Sequence, residues 1–193
     1  MTHSEMLTKI DIDILAEAFP SSIRACAAEA GALVNGSLNQ NQWFNRERLT
    51  VIGEEILIPR RLSFDEARPY LQSSGFIEQM IACLQTQSCN GFQRQRALKL
   101  ILPDVKPWSA PFVIALIDEY IVEIIEDISA AMTPSNVDAL VAFIIENPAY
   151  WETTKQRVGS YWNVYYRHRY SKTFYPGFKL VNELQSELRA RNK

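Results

Sequence analysis

The stretch CNGFQRQRALKLI, residues 89–101, decides how the chain is read. A polar turn at Asn90-Gly91 leads into a helical pattern, with Phe92 just inside it and Ala97, Leu98 and Ile101 on its apolar side. The same layout returns 28 residues later as IDEYIVEIIEDIS, 117–129, and after another 28 as IENPAYWETTKQR, 145–157. Each copy has a short polar turn, an aromatic residue within a few positions, and then a helix. A second helix precedes each turn, so the recurring unit is a helix pair. Units of this kind cannot bury an apolar face alone and do so by stacking, as in an α-solenoid.

The residues of the first unit resemble a HEAT repeat: Asn90 in the turn, then Arg94, and the Ala97-Leu98 pair on the second helix. The second unit keeps Asp118 and the apolar positions, with Val122 where that family carries Arg, and the third keeps the polar turn. The likeness covers roughly residues 67–168. It implies a scaffold of helix pairs that binds other proteins, in which Arg94 hydrogen-bonds the turn of the neighbouring repeat, with Asp118 as the candidate acceptor. Some members of the family bind nucleic acid, and a few have been adapted to base-excision chemistry. A fold of this kind raises the expectation of binding without choosing a partner.

Outward toward the N-terminus, Leu7, Ile10, Ile14, Leu15 and Ala18 follow a helical period over residues 4–19, which Pro20 ends. SSIRACAAEAGALVNG predicts a second helix, capped by Ser21 or Ser22 and terminated by Gly36. SLNQNQWFN, 37–45, reads as a polar loop pinned by Trp43 and Phe44. The period then changes. In RLTVIGEEILIPRRL, Leu49 and Val51 alternate before Gly53, and Ile56 and Ile58 after it, which predicts a β-hairpin. Pro59 lacks an amide donor and so places the second strand at a sheet edge or ends it.

Beyond residue 66 helices are expected at 66–72, 74–87, 91–102, 108–117, 120–132, 135–146, 148–168 and 177–191. Pro103, Pro107, Pro134, Pro148 and Pro176 fall in connectors or first turns, where a missing amide is tolerated. The expected architecture is a single, mostly α domain spanning 1–193. It comprises an N-terminal helical pair and hairpin (1–66), a short HEAT-like solenoid (67–168) and a C-terminal capping helix (169–193).

Composition excludes several functions. No window approaches eighteen uninterrupted apolar residues, so no membrane span is expected, and the first residues lack the pattern of a secretory leader. Cys26, Cys83 and Cys89 have no C-x-x-C spacing and predict reduced thiols in a cytoplasmic protein. His3 and His168 are the only histidines, and neither stands at metal-ligand spacing from a second ligand. No phosphate loop, dinucleotide fingerprint or serine-nucleophile motif occurs. The chain is therefore read as not an enzyme, with no cofactor and no metal.

Charge is uneven. Between Pro107 and Thr154 there are eight carboxylates and no Lys or Arg; from Ser160 onward seven Lys and Arg face only Glu183 and Glu187. Glu119, Glu123, Glu126 and Asp127 fall on one side of a helix and predict a solvated acidic face, with a carboxylate-based catalytic site around Glu119 and Glu123 as a remote alternative.

The basic end contains YWNVYYRHRY, residues 161–170. On a helix Tyr161, Val164 and Tyr165 share the core side, while Trp162, Tyr166, Arg169 and Tyr170 cluster on an adjoining side. The aromatic arc is wider than one buried stripe, so some rings should reach the surface. The stretch is read first as a helix that closes the solenoid, its outer edge doubling as a contact surface. On that edge Trp162, Tyr166, Arg167, Arg169, Tyr170 and Lys172 are the candidate partner-binding residues, since Trp, Tyr and Arg dominate interface hot spots. The expected function is a non-catalytic interaction or scaffold protein whose partner is another protein. The alternative is a nucleic-acid-binding repeat protein using the same basic aromatic segment.

Overall fold

The computed structural model describes residues 5–7, 11–65 and 75–191, and of residues 5–7, 43 and 44 only the backbone. The helix expected at 66–72 lies outside the described residues. The protein is mostly helical, with a small antiparallel sheet near its N-terminus. It forms two compact units, Met1–Ile101 and Leu102–Lys193, and the boundary falls inside the 67–168 segment.

In the first unit, strands β1 (Glu5–Leu7), β2 (Gln42–Val51) and β3 (Glu54–Arg60) form a sheet in the order β1-β2-β3. The hairpin follows the predicted register, with Leu49 opposite Ile56 and Val51 opposite Glu54. Leu49, Val51, Ile56 and Ile58 are all buried, so one pleat face supplies the unit's core. The two-residue turn puts both Ile52 (φ 55°) and Gly53 (φ 74°) in the left-handed region, as a type I′ turn requires. Pro59 lies on the sheet-edge strand β3, as its missing donor demands. Two residues earlier the Leu57 N–H donates instead to the Glu17 carbonyl at 3.0 Å, on the end of helix α1 (Ile12–Ala16).

Two N-terminal expectations are corrected. Residues 5–7 are strand rather than helix, because they pair antiparallel with Gln42–Phe44, and a local helical period yields to sheet pairing. The "loop" 37–45 accordingly ends in strand from Gln42 onward. Gln42 is polar yet buried. Its side-chain amide donates to the carbonyls of Asn39 (2.9 Å) and Ser63 (2.7 Å), and its oxygen accepts the Ser63 N–H at 2.9 Å.

Helix α2 (Arg24–Asn35) ends at Gly36 as expected, but neither Ser21 nor Ser22 caps it: its first flanking residue is Ile23, with no side-chain cap bond. A 3-10 turn, Ser21–Ile23, precedes it, and the Glu54 carboxylate of the hairpin accepts the Ser21 N–H (2.7 Å) and O–H (2.9 Å). Helices α3 (Gly75–Gln85) and α4 (Gly91–Ile101) pack against each other, and α2 packs on α3. The Arg94 side chain is buried, with its guanidinium donating to the carbonyls of Ser88 (2.9 Å) and Cys89 (3.1 Å) in the α3–α4 turn. The Leu62 backbone joins that turn to the chain following the hairpin, through bonds to Gln87 and Cys89.

The second unit consists of helices α5 (Ala110–Ile117), α6 (Val122–Ala130), α7 (Pro134–Glu146), α8 (Pro148–Tyr161) and α9 (Pro176–Arg191). Pro111, Pro134, Pro148 and Pro176 stand in first turns, and Pro103 and Pro107 in a connector, as read from sequence. Every residue of α5 is buried, which its uniformly apolar sequence makes possible. It contacts α6, α7 and α8. Helix α9 also touches α6, α7 and α8, so it reaches back along the unit instead of meeting only the last pair. Asn136 acts as an internal clamp. Its amide donates to the carbonyls of Leu102 and Ala131, both at 2.8 Å, and accepts the Val105 N–H at 2.9 Å.

Candidate binding surface

The helix expected to run from 148 to 168 stops being α-helical at Tyr161. Trp162–Tyr166 wind as a π-turn, marked by the bond from the Arg167 N–H to the Trp162 carbonyl, five residues back, at 2.8 Å. The wider turn redistributes side chains around the axis, and such turns recur at functional sites. The face assignment made on a regular helix is corrected accordingly. Val164 is 64% and Tyr165 58% exposed, so neither fills the core, and Tyr161 is half-buried. Trp162, Tyr166 and Tyr170 are partly buried to the same degree as Tyr161.

These three rings are fixed by hydrogen bonds and by each other. The Trp162 indole N–H donates to the Tyr170 carbonyl at 2.9 Å, closing the bend after the π-turn. The Tyr166 hydroxyl donates to the Tyr120 carbonyl at 2.5 Å and accepts the Val122 N–H at 3.3 Å. It thereby satisfies one of the orphan amides at the start of α6. Tyr166 stacks on Tyr175 with centroids 5.4 Å apart, and Trp162 packs on Phe178 at 5.7 Å. Burial pushes the Tyr166 phenol above its usual pKa; the Val122 N–H and Arg169 oppose the shift, while Glu123 and Tyr170 add to it. Burial likewise pushes Tyr175 upward, so both phenols stay neutral at neutral pH.

The cations lie over this floor. The Lys172 ammonium is 5.2 Å from the Trp162 ring and the Arg169 guanidinium 5.1 Å from Tyr170. Arg167 is exposed, its Nε 3.4 Å from His168 Nε2. Five of the six candidate residues thus meet, Trp162, Tyr166 and Tyr170 as partly buried rings with Lys172 over Trp162 and Arg169 over Tyr170, while Arg167 is exposed beside His168.

Sequence reasoning missed two exposed rings, Tyr120 and Phe174. Tyr120, 45% exposed, stands 5.9 Å from Tyr165 and 6.3 Å from Tyr161, and Phe174 is 67% exposed beneath Lys179. Tyr120 is more than forty positions from the segment it joins, and no local pattern signals that meeting. The turn residues beside it also depart from the expected solvated acidic face. Asp118 and Glu119 are both buried, Asp118 accepting from Arg157 at 2.7 Å, whereas Glu123 and Glu126 are exposed. Glu119 precedes α6 and so lies off the helix face that carries the others.

Among the described residues no group of His, Cys, Asp and Glu is placed to hold a metal ion. No single helix among them is long and apolar enough to cross a membrane. Compared with known protein families, curated proteins and solved structures, the chain matches none.

Proposed function

We propose that this is a non-catalytic protein-binding protein whose contact surface is the aromatic-basic region around the π-turn. The observation that carries this reading is the exposure of Tyr120, Val164 and Tyr165 beside Arg167 and Arg169, over rings already locked by hydrogen bonds. Preordered aromatic side chains lose little entropy on binding, and exposed rings with Arg are the composition of interface hot spots. A surface of tyrosine rings, an aliphatic side chain and cations suits contact with a protein partner. In this reading the helix pairs form a HEAT-like frame. Support for that frame comes from turns before Gly91, Val122 and Pro148, which recur near the 28-residue interval, and from the buried Arg94 locking the first of them. The return of α9 to α6 departs from a purely linear stack, in which each pair meets only its neighbours.

The test is co-purification from native cell extract with wild-type protein and with the exposed-residue variants Tyr165→Ala and Arg169→Ala. A protein retained by wild type and lost by both variants supports the surface; one retained equally by all three refutes it. Nucleic acid is the second outcome, favoured by the pairing of exposed rings with Arg169. It would show as nuclease-sensitive recovery and steep salt dependence, with Arg169→Ala lowering the salt slope by about one unit.

A further inference from the structure

Three tyrosines of the proposed contact surface form a cluster of their own. Tyr120 and Tyr161 lie 6.3 Å apart between ring centroids, Tyr120 and Tyr165 5.9 Å, and Tyr161 and Tyr165 6.1 Å, with interplanar angles of 60°, 40° and 31°. Tyr120 and Tyr165 are exposed and Tyr161 is half-buried. A triangle of that size lets one ligand atom stand within about 6 Å of all three centroids, the reach of a cation–π contact.

The cations of the chain itself lie elsewhere. Lys172 is over Trp162, Arg169 over Tyr170 and Lys179 over Phe174, while Arg167 bonds His168. Among the described residues no Lys or Arg lies over Tyr120, Tyr161 or Tyr165. Glu123, three positions after Tyr120, is exposed and takes part in no ion pair among the described residues. Its charge reaches the Tyr166 phenol, whose hydroxyl bonds the Tyr120 carbonyl; Arg169 reaches the same phenol, with its guanidinium held over Tyr170. Tyr120 also belongs to the stretch from Pro107 to Thr154, which has eight carboxylates and no Lys or Arg. Ring faces attract cations and repel anions, and a nearby carboxylate adds to both effects. We infer that the Tyr120–Tyr161–Tyr165 triad seats a cationic side chain, Lys or Arg, of the partner protein, with Glu123 as its counter-charge. The inference rests on the proposed contact surface and names the chemistry of its occupant.

Fluorescence anisotropy of labelled hexa-arginine and hexa-glutamate peptides, titrated with the full chain at low salt, tests it. Wild type should bind the basic peptide and not the acidic one. Tyr165→Leu keeps apolar area but removes a ring, and should weaken binding about two- to fivefold; adding Tyr120→Leu should weaken it further. Tyr165→Phe keeps the ring face and should bind as wild type does. Glu123→Gln should weaken binding at low salt and lose that effect at high salt. The substituted side chains are exposed, and unchanged thermal melts would show that the variants are folded. No binding of the basic peptide, preference for the acidic one, or equal affinity in Tyr165→Leu overturns the inference. A foreign protein captured by wild type, lost in Tyr165→Ala but retained by Tyr165→Leu, overturns the cation seat alone and leaves the contact surface standing.

Discussion

Tyr166 and Tyr175 stack with centroids 5.4 Å apart and planes 26° from parallel, yet their hydroxyls meet opposite fates. The Tyr166 O–H ties the α5–α6 turn to the π-turn through Tyr120 and Val122. The Tyr175 O–H is buried with no hydrogen-bond partner among the described residues. Tyr166→Phe should therefore cost about 1–2 kcal/mol in urea unfolding, because it strands a carbonyl and a helix-start amide. Tyr175→Phe should be neutral or stabilising by up to about 1 kcal/mol, since a desolvated hydroxyl without a partner is removed. Equal losses in the two variants would refute this contrast.

The hairpin turn holds a strained residue. Ile52 has φ 55°, where a β-branched side chain is costly, and most of that side chain stays in water. Asn tolerates this region, and Asn-Gly is the preferred type I′ pair. Ile52→Asn should raise the unfolding free energy by about 1 kcal/mol, visible as a higher denaturation midpoint at unchanged m-value.

Gly177 is required by a close approach. A Cβ there would stand 2.6 Å from Tyr175 Cε1 and 3.0 Å from Val158 Cγ1. The Tyr175 ring is fully buried among other rings and has no room to retreat. Gly177→Ala gains at most about 1 kcal/mol of helix propensity, against an overpacking cost of about 1–3 kcal/mol. The variant should be less stable, and its near-ultraviolet circular dichroism should change as the tyrosine cluster shifts.

Asn136 serves two carbonyls and one amide of buried connecting chain. Asn136→Ala should cost about 3 kcal/mol, because each stranded group carries its own desolvation penalty. Hydrogen exchange should show the Val105 amide losing protection first.

Glu54 gives the protein an acid-sensitive contact. The Ser21 N–H, then the Ser21 O–H, hold its carboxyl below the usual value of 4.5, with Arg24 assisting. A folded-state pKa below the unfolded one contributes stability that is complete above about pH 4.5 and is lost as pH falls through the folded value. Stability of wild type should therefore fall more steeply in acid than that of Glu54→Gln. Parallel curves below pH 4.5 would rule this out.

Local chemistry is legible where one element satisfies its own needs. The alternation of Leu49, Val51, Ile56 and Ile58 is a hairpin because a period of two buries one face. The prolines at 134, 148 and 176 start helices because their fixed φ and missing amide suit a first turn. The Glu54 bond to Ser21 spans 33 positions, and β1 is strand only because Gln42–Phe44 lies beside it. Neither leaves a mark in its own segment.

The proposed contact surface divides the same way. Residue types and charge alone located the aromatic-basic segment at 161–172, because rings and cations in excess of one apolar stripe must reach the surface somewhere. Which of them do so was decided by the folded chain. A π-turn, held by the Tyr166 bonds to Tyr120 and Val122, turns Val164 and Tyr165 outward and draws Trp162, Tyr166 and Tyr170 inward. A regular period predicts faces only while the helix stays regular, and this one widens where Tyr166 bonds a turn more than forty residues earlier.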